Sequence, residues 1–89
     1  MNVVIIFDLS GNETEVKGAL GQKGYHNRWS SNNQVYNLPK SSMWKPNTTL
    51  AEVKIEFEKV IQELNLGIAI ERLLVLPASP WDGIVGIAD

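Results

Sequence analysis

Apolar residues follow three different periods along this chain, and each change of period marks the start of a new element. Residues 2–9, NVVIIFDL, form an almost unbroken β-branched and aromatic run that closes on Asp8. Continuity rather than alternation predicts a central strand covered on both faces. Beyond Gly11 the period lengthens: Val16, Ala19 and Leu20 fall at i, i+3 and i+4, behind a candidate Asn12 cap and the first-turn acids Glu13 and Glu15. A Glu13–Lys17 pair suits this helix. Gly18 and Gly21 each weaken it by about 1 kcal/mol relative to alanine, so it is expected to lean on tertiary packing, and Gly24 is a natural stop.

Alternation then takes over. Tyr25, Asn27 and Trp29 precede the turn-forming cluster Ser30-Ser31-Asn32-Asn33, and Val35 and Asn37 follow it, which predicts a hairpin. The next stretch, NLPKSSMWKP, carries Pro39 and Pro46, each lacking a backbone donor and restricting the residue before it. It reads as a stiff corner between strand and helix, with Met43 or Trp44 closing the edge of the core. Thr49-x-x-Glu52 forms a capping box ahead of the clearest helical stripe in the chain: Leu50, Val53, Phe57, Val60, Ile61 and Leu64. Asn65 and Gly67 end that helix. IAIERLLVL, residues 68–76, predicts another strand, and Ile84, Val85 and Ile87 suggest a short extra C-terminal strand.

The resulting order is β-α-β-β-α-β plus a tail. It predicts an α+β fold of the ferredoxin-like βαββαβ type, with two helices on one face of an antiparallel sheet. The 89 residues are expected to form a single domain over 1–89. A chain this short leaves much apolar surface uncovered, which makes a homodimer a natural expectation.

Charge is unevenly spread. The net charge of -2 disfavours a generally basic nucleic-acid binder. Yet Lys17, Lys23, Arg28, Lys40 and Lys45 lie between Val16 and Ala51 with no acid among them, so the middle of the chain is a basic block. With no cysteine, disulfides, thiolate zinc sites and cysteine nucleophiles are excluded, and the single histidine excludes a multi-histidine metal site within one chain. The first apolar run is too short for a signal segment and nothing approaches a membrane span of roughly 20 apolar residues. A cytoplasmic protein without membrane contact is expected.

Candidate chemistry concentrates at few positions. Asp8 closes the first strand before a turn with Ser10 and Gly11; a carboxylate there can help hold a divalent cation such as Mg²⁺, particularly with a second copy from a two-fold partner, or it can bind turn amides. Arg28, Lys40 and Lys45 can contact phosphates and Trp44 can stack on a base, as in readers of single-stranded RNA. The structural alternative has Trp29 or Tyr25 in the core and Arg28 solvated. Glu52, Glu56, Glu58 and Glu63 fit a solvated helix face. Glu71 and Arg72 interrupt an apolar strand and mark an exposed register or an ion pair at a dimer contact.

The strand ending in FDLS, the hairpin carrying VYNLP, and the final strand with IERLLVL together resemble the small ferredoxin-fold nuclease superfamily. That superfamily includes the CRISPR-associated spacer-acquisition nuclease, virulence-associated protein D and the endoribonuclease antitoxins of type V toxin-antitoxin systems. VYNLPKSSMW and SPWDGIVG look most similar to the antitoxin branch. The resemblance implies a homodimeric RNA-binding or RNA-cleaving protein, with Asp8 matching the acid associated with metal-dependent phosphodiester cleavage. The alternative is a non-enzymatic interaction module that binds a protein partner by strand addition through a sheet edge or the tail SPWDGIVGIAD.

Overall fold

A computed structural model describes residues 1–88. Strand β1 (Val3–Leu9) lies at the centre of a three-stranded sheet, antiparallel to β4 (Ser42–Lys45) on one side and to β5 (Ile70–Pro77) on the other. Its central place follows from its residues, since an unbroken β-branched run can pack on either face and pair along both edges. Val3, Ile5 and Phe7 point inward and are sealed from solvent. Val4, Ile6 and Asp8 point to the opposite, outer face, which is covered only near Val4. The expectation of cover on both faces therefore holds for half of the strand.

Both helices pack on the inward face. Val16 and Leu20 of α1 (Glu13–Gln22) meet Val53, Phe57 and Val60 of α2 (Leu50–Leu64) over Val3, Ile5 and Phe7. The Phe7 and Phe57 rings lie 5.2 Å apart in a tilted pair. Thr49 caps α2 by accepting a hydrogen bond from the Glu52 amide at 3.2 Å. The other half of the expected capping box is altered: the Glu52 carboxylate accepts from the Thr48 hydroxyl at 3.1 Å. Leu50, placed on the apolar stripe by periodicity, is 37% exposed at the first turn, beyond the reach of the sheet.

The entrance to α1 also differs from expectation. Asn12 adopts a left-handed conformation (φ 58°) and its side chain makes no capping bond. That conformation turns the side chain away from the first helical amides, while the Asn12 carbonyl accepts from the Val16 amide. Glu13 and Lys17 do not pair with each other; Glu13 accepts from the Ser41 hydroxyl at 2.6 Å and Lys17 donates to the Lys40 carbonyl. Tertiary partners thus replace the local ion pair of a glycine-weakened helix.

The hairpin forms as expected, from β2 (Arg28–Ser31) and β3 (Gln34–Asn37). Asn32 and Asn33 both take positive φ, 49° and 63°, the turn that matches the twist of the flanking strands. The hairpin forms its own two-stranded sheet, joined to the main one by a single bridge, His26 to Trp44.

Two helices and antiparallel sheets confirm the α+β class, but the ferredoxin-like βαββαβ order is not matched. Among the described residues five strands form, in the order β4-β1-β5 with β2-β3 separate. The difference lies in NLPKSSMWKP, expected as a corner: it turns at Lys40–Ser41 and then forms a short strand. Ser42–Lys45 fit between Pro39 and Pro46, leaving Met43 opposite Ile5 in the core and Trp44 opposite Val4 on the outer face. The expected extra C-terminal strand does not form among the described residues. Instead, the Asn37 amide and side chain both donate to the Val85 carbonyl, at 3.0 and 3.3 Å, tying this segment to the hairpin. Asp89, the last residue of that tail, lies outside the described residues. Among the described residues no helix is long and apolar enough to cross a membrane.

Candidate interaction surface

The outer sheet face is built from three cross-strand pairs between β1 and β5: Val4 with Leu76, Ile6 with Leu74, and Asp8 with Arg72. Strand alternation puts all six side chains on the side away from the helices. Ile6, Leu74 and Leu76 are 44%, 58% and 40% exposed. Asp8 accepts a hydrogen bond from Arg72 Nε at 2.6 Å, and this contact raises the Arg72 guanidinium further above its ordinary range. The outer edge of β5 pairs with no other strand among the described residues.

The Val4 end of the same face is capped by an aromatic chain. Trp44 rises from β4 and packs against His26 at 5.1 Å and Trp29 at 4.3 Å between ring centroids. Trp81 crosses from the C-terminal segment to meet Trp29 at 5.6 Å and Tyr36 at 5.0 Å. The Trp44 indole donates to the Arg28 carbonyl, which locks the hairpin to the sheet edge. Between hairpin and C-terminal segment lies a cavity of about 140 Å³, bounded by Trp29, Tyr36, Trp81 and Asp82 over Val4, Leu38 and Ala78.

These placements sort the residues marked by the sequence. Asp8 is exposed at the end of β1 and engaged by Arg72, not by turn amides. No group of three or more His, Asp or Glu side chains able to hold a metal occurs among the described residues. Lys45 is half-buried, paired with Glu56 at 2.9 Å and set 5.2 Å over the Tyr25 ring. Burial alone would raise the Glu56 carboxyl, but hydrogen bonds and the charges of Lys45 and Lys23 hold it below its ordinary value. Lys45 therefore serves the core edge. Trp44 has its ring against His26 and Trp29. Arg28 and Lys40 are exposed, and neither side chain makes an ion pair or hydrogen bond among the described residues.

Arg72, Ile6, Leu74 and Leu76 carry this face, and only part of it is signalled by the residue pattern. Arg72, Leu74 and Leu76 alternate, which points to a second sheet face, but the surrounding Ile70, Leu73 and Val75 hide that pattern in a nearly continuous apolar run. Tyr36 and Trp81 come together only through the tertiary return of the C-terminal segment. Neither family models, curated proteins nor solved structures gave a match to this chain.

Proposed function

We propose that this chain is a non-enzymatic interaction module that self-associates through the uncovered half of its outer sheet face. The observation that carries this reading is the exposure of Ile6, Leu74 and Leu76 side by side on that face, beside the Asp8–Arg72 pair. Removing such apolar area from water contributes roughly 25 cal/mol per Å², which favours a second layer over this face. Charge selects the geometry of a second copy. A two-fold axis running parallel to the strands between two stacked faces lays β1 of each copy on β5 of the other. Ile6 then meets Leu74, and Asp8 meets Arg72 of the second copy. An axis across the strands would instead set Asp8 and Arg72 against the apolar Val4 end, where both ions lose water without compensation.

This arrangement surrounds each Asp8 with two guanidiniums, the opposite of what a divalent cation requires, and so supports association rather than metal-dependent cleavage. The test is the mass in solution by light scattering. Dimers are expected for the native chain, monomers for Leu74→Asp, and weakened dimers for Arg72→Asp that the double swap Asp8→Arg/Arg72→Asp restores. A native chain that stays monomeric throughout the micromolar range refutes the reading.

A second reading, RNA binding, is favoured by the unengaged cations Arg28 and Lys40 within the acid-free block. Affinity for single-stranded RNA should then fall steeply with salt through counterion release and drop in Arg28→Ala and Lys40→Ala. Binding insensitive to salt counts against it. RNA cleavage abolished by Asp8→Asn would establish an endoribonuclease instead.

A further inference from the structure

We propose that the cavity between the hairpin and the C-terminal segment binds a small methylated ammonium cation of the choline class. Its walls are aromatic and meet at steep angles: the Trp81 ring stands at 64° to Trp29 and 80° to Tyr36. At centroid distances of 5.6 and 5.0 Å these rings pack edge to face on one another. A cation in the cavity has all three aromatic residues about it, and the electronegative ring faces left open by that packing attract it. Among the described residues, Asp82 is the only charged one lining the cavity, and its charge is negative.

Each feature narrows the ligand. The carboxylate and the ring faces repel an anion. A bare ammonium or guanidinium would surrender strong hydration to walls that offer few hydrogen-bond acceptors. A neutral apolar molecule would fill the aliphatic floor of Val4 and Leu38 but gain nothing from Asp82 or from the ring quadrupoles. A trimethylammonium head combines weak hydration, an apolar methyl surface and a diffuse positive charge, and its size suits a volume of about 140 Å³.

The walls are held in place independently of any ligand. Trp29 and Tyr36 are cross-strand partners in the hairpin, and the Tyr36 hydroxyl donates to Gln34 at 3.2 Å. One oxygen of Asp82 accepts from the Gly83 amide at 2.8 Å, which fixes the carboxylate beside the opening. The Asn37 bonds to Val85 hold the segment that carries Trp81 against the hairpin.

The test titrates the full chain with choline, following tryptophan fluorescence and heat, and compares 3,3-dimethyl-1-butanol, which has the same shape without the charge. Choline should bind at least about tenfold more tightly than this neutral isostere, and Trp81→Ala should weaken it by a similar factor. Asp82→Asn, isosteric and exposed, should weaken choline about threefold and leave the alcohol unchanged. Equal binding of choline and the alcohol overturns the proposal, as does a choline affinity unmoved by both substitutions. Binding to phosphatidylcholine vesicles without any response to free choline overturns it too, because the site would then read a membrane surface. Should Trp81→Ala disturb the hairpin by circular dichroism, the Asp82→Asn comparison alone decides.

Discussion

Replacing Trp44 with alanine separates the two roles open to that side chain. Its ring is half-buried and packs against His26 at 5.1 Å and Trp29 at 4.3 Å, and its indole N–H bonds the Arg28 carbonyl. Truncating a wholly buried tryptophan costs about 3–5 kcal/mol. Half burial brings that to about 2 kcal/mol, and the aromatic pairing with His26 and Trp29, partly contained in that figure already, adds up to about 1 kcal/mol. The lost hydrogen bond adds little, because water can reach the exposed Arg28 carbonyl. Trp44→Ala should therefore lose about 2–3 kcal/mol, a large share of the stability of so small a domain. With a urea dependence of about 1 kcal/mol per M, the unfolding midpoint should fall by roughly 2 M. Far-ultraviolet circular dichroism is the suitable probe, since the substitution itself removes a fluorophore. Hydrogen exchange should show the amides of β2 and β3 losing protection first, because Trp44 fastens the hairpin. A midpoint shift below about 0.5 M with hairpin protection intact would refute the structural role and return Trp44 to base stacking.

Two more side chains give sharp tests. Tyr25 is buried with its hydroxyl beside the Glu56 carboxylate, which it meets without the geometry of a full hydrogen bond, so Tyr25→Phe should change stability by no more than about 1 kcal/mol in urea unfolding. Burial, and after it the nearby Glu56 carboxylate, push this phenol well above its ordinary value; spectroscopic alkaline titration should therefore show Tyr25 ionising only as the protein unfolds. Glu56 has the opposite sign, a folded pKa held below the unfolded one. Its contribution is present above the unfolded value and disappears as pH falls through the folded one. The pair with Lys45 is partly exposed, so Glu56→Gln should cost about 1 kcal/mol at neutral pH and nothing once the pH is below both values.

How far the sequence reveals the fold depends on whether an element is held by its own pattern. The α2 stripe and the Asn32-Asn33 turn are locally determined, and both appear where periodicity and backbone preference place them. Ser42–Lys45 is different. Four residues between two prolines carry no period long enough to read, and the strand exists because β1 presents a free edge to it. The same reason explains the tail: Ile84, Val85 and Ile87 have strand-like side chains, but the edge of β3 receives only the Val85 carbonyl. For the site, Asp8 was legible as the end of a strand, whereas its partner lies 64 residues away and no local signal joins them. The basic block was legible as charge alone. Its lysines divide by tertiary contacts, with Lys45 committed to Glu56 and Lys40 left exposed.

The central place of β1 also sets the order of folding. Both edges of the most hydrophobic segment, Val3–Phe7, are closed by strands that come much later in the chain, β4 from Ser42 and β5 from Ile70. Closing such long loops is slow compared with forming local helices. Until it happens, VVIIF is an uncharged, proline-free window of high strand propensity with two unpaired edges, the composition that nucleates intermolecular β-structure. The same residues that make the core are thus the chief hazard of the unfolded chain. Aggregation on refolding should rise with protein concentration and should worsen sharply in any fragment that ends before β5.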